Sequence, residues 1–96
     1  MPRYIQLYNW TDQGVRNAKD APNRIRQATQ MLERLGGKLI DLSFTMGQYD
    51  LVGVLEAPSD EVITRFALTL AGAGNVRTTT LKAYTLDEFE QLARSL

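Results

Sequence analysis

The stretch Thr45–Ala57, TMGQYDLVGVLEA, puts a glycine turn in front of an apolar run, with a tyrosine and an aspartate at the junction. Upstream, Lys38–Met46 alternates: Ile40, Leu42, Phe44 and Met46 share one face, and Leu39, Asp41, Ser43 and Thr45 share the other. Successive strand side chains point to opposite faces, so this is the pattern of a half-exposed strand. Two such runs joined by a short link containing glycine form a hairpin, with Gly47 supplying the turn. The return strand, Tyr49–Glu56, is apolar in both registers, because Leu51 and Leu55 point opposite to Val52 and Val54. Large groups on both faces suit a central strand.

The rest of the chain supplies the partners this hairpin needs. Arg3–Trp10, RYIQLYNW, is a first strand rich in aromatic and β-branched residues. Ile5 and Leu7 face one way, and Tyr4, Gln6, Tyr8 and Trp10 the other. Thr11 or Asp12 starts a short helical turn, and Asp20 is placed to cap a longer helix with Pro22 in its first turn. Through Leu35 that helix repeats Ile25, Ala28, Leu32 and Leu35, leaving Arg24, Gln27, Gln30 and Arg34 for solvent. Gly36-Gly37 ends it.

Ser59 caps a second helix with Asp60 and Glu61 in the first turn and Val62, Ile63, Phe66, Ala67 and Leu70 as its apolar stripe. The Gly72–Asn75 segment stops it, and Val76–Tyr84 is a threonine-rich strand. Thr85 and Glu88 have capping-box spacing, flanked by Tyr84 and Phe89 at the staple positions. A C-terminal helix follows, with Phe89, Leu92, Ala93 and Leu96 on one face, to dock on the domain itself or on a neighbouring chain.

The order β-α-β-β-α-β plus a helix predicts an α+β, ferredoxin-like sandwich over residues 1–96, one domain with a four-stranded antiparallel sheet. The right-handed crossover rule puts both main helices on one side of the sheet. The other side then needs cover. At ~25 cal/mol per Å², leaving two or three large apolar side chains in water forfeits several kcal/mol, comparable to the whole stability of a small domain. A homodimer or higher homo-oligomer is therefore expected, most simply through a two-fold partner.

Composition narrows the chemistry. Eleven basic and eleven acidic residues cancel, which argues against nucleic acid and against an anionic membrane surface. The chain contains no cysteine and no histidine, removing thiol chemistry, the commonest general base and the usual haem and transition-metal ligands. No metal motif is present, so neither metal nor cofactor is expected. Without a secretory or membrane-spanning pattern, the expected compartment is the cytoplasm.

Among candidate site residues, Asp50 serves either as an acceptor for turn N–H groups or as an acid, base or ligand anchor at a cavity mouth. Tyr49 either packs on the sheet or joins Asp50 in that role. Arg77, at the start of the last strand, is the best anion anchor, its plainer role being an ion pair with Asp50 or Glu56. Tyr4, Tyr8 and Trp10 form an aromatic stripe that is core or interface, or else the wall of a cavity between two packed sheets. An RNA-recognition module shares the element order, but its third strand carries aromatics, whereas this one is aliphatic with Asp50 and Glu56.

The segments MPRYIQLYNWTDQGVRNAKDAP, TMGQYDLVGVLEAP and GNVRTTTLKAYT together resemble the GYD domain family, in the family's order and over nearly the whole chain. Its Gly-x-Tyr-Asp element corresponds to Gly47, Tyr49 and Asp50. The resemblance implies a dimeric α/β-barrel, in which two ferredoxin-like sheets pack face to face. Trp10 departs from the pattern, standing where a smaller aromatic or variable residue is expected, and narrows any cavity. Three functions follow as expectations. The first is a homo-oligomer holding a small organic molecule between sheets, with Tyr8, Trp10, Tyr49, Asp50 and Arg77 as contacts. The second is a cofactor-independent enzyme, monooxygenase- or isomerase-like, using Asp50 or Tyr49. The third is an assembly or adaptor protein.

Overall fold

The computed structural model describes residues 1–96. In chain order the elements are β1 (Arg3–Trp10), α1 (Asp12–Arg16), a 3₁₀ turn (Ala18–Asp20), α2 (Ala21–Arg34), β2 (Lys38–Phe44), β3 (Leu51–Glu56), α3 (Asp60–Gly72), β4 (Val76–Ala83) and α4 (Leu86–Arg94). The sheet order is β2-β3-β1-β4, every neighbouring pair antiparallel. This is the ferredoxin-like α+β arrangement, with β1 and β3 central as their two-sided apolar character requires. No helix is long and apolar enough to cross a membrane.

Register divides the side chains into two sets of rows. On the helix-covered face lie Leu39–Leu55–Tyr4–Lys82, then Leu42–Gly53–Gln6–Thr80, then Phe44–Leu51–Tyr8–Thr78. On the opposite face lie Lys38–Glu56–Arg3–Ala83, then Asp41–Val54–Ile5–Leu81, then Ser43–Val52–Leu7–Thr79. The buried core is Tyr4, Leu32, Leu55, Ala57, Ile63 and Phe66, with Ala28, Met31, Leu35, Leu39, Val62 and Leu70 packed around it.

Three local expectations change. β2 does not alternate strictly: its pairing with β3 slips between Leu39 and Asp41. That bulge turns Leu39 to the helix side with Leu42 and Phe44, where it reaches the core, and gives Ile40 no cross-strand partner. Tyr49 lies in the connection rather than in β3. Asp20 stands at the N-cap of α2 but makes no side-chain cap bond, and sits instead 3.9 Å from the Arg24 guanidinium.

The other caps form as the residues dictate. Thr11 Oγ1 accepts from Gly14 N (3.0 Å), and Ser59 Oγ accepts from Val62 N (3.3 Å). The amides of Gly36 and Gly37 donate to the carbonyls of Glu33 and Leu32, closing α2 with a Schellman pair. Thr85 and Glu88 make both bonds of the capping box, at 2.9 and 3.1 Å. Yet every residue of α4 is exposed, including Leu86, Phe89 and Leu92, so the domain itself does not cover its apolar side.

At Gly14, α1 presses on the loop before β4. A Cβ there would sit 2.0 Å from the Asn75 carbonyl oxygen, the group that also accepts from Thr11 N at 3.1 Å. Gly14→Ala is expected to destabilise the fold by about 1–3 kcal/mol, the usual range for overpacking, in urea-unfolding measurements.

Candidate functional site

The Gly-x-Tyr-Asp element builds the end of the sheet. Gly47 takes a positive φ of 110° with open space around it, so glycine is required by backbone conformation rather than by crowding. The turn is closed by Thr45 N donating to the Asp50 carbonyl at 2.8 Å, and Asn9 Nδ2 donates to the Gln48 carbonyl at 2.7 Å. Asp50 then joins two strands. Its N–H donates to the Tyr8 carbonyl (2.8 Å), and its Oδ2 accepts from Trp10 N (2.8 Å). The carboxylate thus extends the β1–β3 ladder past the point where the β3 backbone has turned away. Tyr49 is half-buried beside it.

The other expected site residues separate. Tyr8 and Trp10 share the helix-side register, whereas Arg77 is exposed, pairs in register with Asn9, and lies on the opposite face. Arg77 forms no ion pair: Glu56 bonds to Arg3 at 3.4 Å, and Asp50 is engaged by Trp10 N. The aromatic stripe faces the helices, so it cannot line a space between two packed sheets; the face left open is aliphatic. Leu51 and Leu55 also point to the helices, leaving Val52 and Val54 as the β3 residues available to a partner.

Two polar ladders run through the helix side. Gln6, 0% exposed, accepts from Tyr8 Oη at 2.6 Å through Oε1 and donates to Thr80 Oγ1 at 3.1 Å through Nε2. Burial raises the Tyr8 phenol above its ordinary range. Tyr4, 2% exposed, donates its hydroxyl to Asp60 Oδ1, and Lys82 Nζ stands 3.1 Å from the same oxygen. Burial first, and then the Asp60 bond and charge, push the Tyr4 hydroxyl up to about 12. The Tyr4 hydrogen bond, seconded by Lys82, lowers the Asp60 carboxyl.

Between α2, α3 and the sheet is a cavity of about 360 Å³. Its walls include Tyr8, Trp10, Ile25, Leu42, Leu51 and Leu70, with Arg24, Thr69 and Asn75 among the polar groups. Arg24, expected in solvent, is half-buried here. The signal in the sequence is its spacing from Ala21 and Ala28, three residues before and four after, which places it on the small-residue face of the helix. Gln6 was legible only as a member of the aromatic stripe, because its partner Thr80 is 74 residues away.

A GYD domain profile matches residues 4–93. The chain belongs to the GYD domain family. It is 38% identical over 84 residues to a Thermus thermophilus protein named as a glutamine synthetase and cystathionine beta-lyase binding protein, covering 86% of this chain and 88% of that one. Among solved structures, FFRP-DM1 superimposes with a TM-score of 0.61 at 15% identity, over 88% of this chain and all of its own. TTHA0845 from Thermus thermophilus gives 0.56 at 20% identity, covering 88% of this chain and 95% of that one. MtbAldR gives 0.59 at 19% identity over 88% of this GYD chain, which spans about half (52%) of MtbAldR. These likenesses establish the shared fold.

Two outcomes are expected. Asp50→Ala strips the acceptor from Trp10 N and should cost about 1–3 kcal/mol in urea unfolding, with Asp50→Asn costing less because an acceptor oxygen remains. For Tyr4, the folded value of about 12 exceeds the ordinary 10.0 of a free phenol, so its stabilising contribution is complete below pH 10 and is lost as pH rises toward 12. Tyr4→Phe should therefore flatten the alkaline fall in stability. Part of the fall should persist through Tyr8, whose phenol is raised in the same direction.

Proposed function

We propose that this GYD protein is a homodimeric protein-binding module whose partner is an enzyme, of the kind named for its Thermus relative: glutamine synthetase or cystathionine beta-lyase. The similarity to that relative over nearly the whole of both chains carries the reading. Two surfaces support it. Across the open sheet face, two apolar rows centred on Val54–Ile5–Leu81 and Val52–Leu7 lie between the Arg3–Glu56 ion pair and the polar Asn9–Arg77 pair. An apolar centre with a polar rim is the anatomy of a protein interface, and a second copy of the same face is its simplest complement.

The second surface is α4, where Phe89 and Leu92 are 58% and 50% exposed on a well-capped helix. An amphipathic helix is a common element for docking into a partner's groove, and this one is assigned to the enzyme. The engagement of Asp50 with Trp10 N supports binding over acid–base catalysis at that position. The cytoplasm is the compartment this reading assigns.

The test uses purified glutamine synthetase and cystathionine beta-lyase against the intact protein in biolayer interferometry. Binding to at least one is expected, and Leu92→Asp should abolish it while native mass is unchanged; failure to bind either enzyme overturns the reading. Val54→Asp is expected to convert the dimer to monomer in native mass spectrometry, and an unaltered dimer would exclude the sheet-face interface.

A further inference from the structure

We propose that the cavity between α2, α3 and the sheet is a binding site for a small monocarboxylate with an apolar body, its head group held by Arg24. This site lies within one chain and does not depend on the enzyme-binding reading. At about 360 Å³ the cavity falls within the roughly 300–1,000 Å³ that small-molecule sites occupy. Fifteen of its 21 lining residues are hydrophobic. Wall atoms facing an empty space of this size lack packing partners, which an apolar ligand body supplies.

Charge selects the head group. The only charged residues on the wall are Arg24 and Arg34, and no aspartate or glutamate joins them. Arg24 Nη1 is occupied, donating to the Asn17 carbonyl at 2.8 Å with Asp20 Oδ2 at 3.9 Å. Its Nη2 is buried and has no hydrogen-bond partner. A buried guanidinium donor without an acceptor is costly, and a carboxylate oxygen is the acceptor suited to it. Arg34 lies ten residues along α2, about 15 Å by helical rise, too far to share one carboxylate. The head is therefore assigned to Arg24, with Ala21 and Ala28 leaving room on either side of it along the helix face. Trp10 and Leu51 line the wall on the sheet side and are assigned to the apolar body.

Trp10 is the only tryptophan and lines the cavity, so its emission reports occupancy. The intact protein is titrated with decanoate, and with decanol as the uncharged control. Decanoate is expected to shift Trp10 emission saturably and to raise the melting temperature, since a ligand that binds only the folded state stabilises it. Arg24→Gln should weaken decanoate about tenfold, as loss of a charge-assisted bond implies, and leave decanol unchanged. Ala28→Phe, or Ala28→Leu if the larger residue prevents folding, should weaken both. The proposal is overturned if decanoate produces no saturable change, if Arg24→Gln leaves its affinity intact, or if both probes weaken equally in that variant. It is also overturned if Trp10 emission changes on dilution of the protein but not with decanoate, since a second copy would then occupy the cavity.

Discussion

The structure depends on β1 being hydrogen-bonded along both edges at once. Its residues pair with β3 on one side and with β4 on the other, so it cannot slip without breaking two ladders. Once that register is set, the period of two commits every side chain. Tyr4, Gln6 and Tyr8 go to the helices, and Ile5 and Leu7 to the open face. Both sets carry apolar surface, so folding of one chain leaves one apolar layer buried and a second layer available for association. The proposed self-association thus follows from the same constraint that builds the core.

Asp50 protects that constraint at its weakest point. β3 begins at Leu51, while β1 continues to Trp10, whose amide would otherwise have no partner on the β3 side. A side-chain carboxylate takes the place of the missing backbone carbonyl. The family's Gly-x-Tyr-Asp element is in this light a strand terminator: Gly47 permits the turn, and Asp50 ties the turn to β1. The acid at the mouth of the apolar strand answers a hydrogen-bonding deficit of the backbone, which is why it sits where the ladder ends. The nearby cavity draws its charge from elsewhere, from an arginine on α2 whose neighbours along the helix are alanines.

The β-α-β-β-α-β order, the central positions of β1 and β3, and the caps at Thr11, Ser59 and Thr85 were all legible in the sequence, because each rests on local spacing. Strand alternation, a threonine three residues before a glutamate, and a glycine pair after an apolar helix act within a few residues of chain. The bulge in β2 was not legible. KLIDLSFTM alternates on paper, and only the packing of Leu39 against Leu55 and α2 makes a slip after Leu39 favourable. Nor did the pattern reveal which face of β1 the helices would cover, because both faces offered apolar groups.

The sequence by itself therefore determined the elements, their order, and the demand that a second layer of apolar surface be covered. Tertiary structure decided which residues meet. It turned the Tyr8–Trp10 stripe inward, put Arg77 on the far side of the sheet, committed Asp50 to Trp10 N, joined Gln6 to Thr80 and brought Arg24 to a cavity wall. The division has a physical cause. Periodicity and capping are properties of neighbouring residues, whereas a cavity and its polar contacts are made by groups tens of residues apart, whose juxtaposition exists only after the strands have chosen their register.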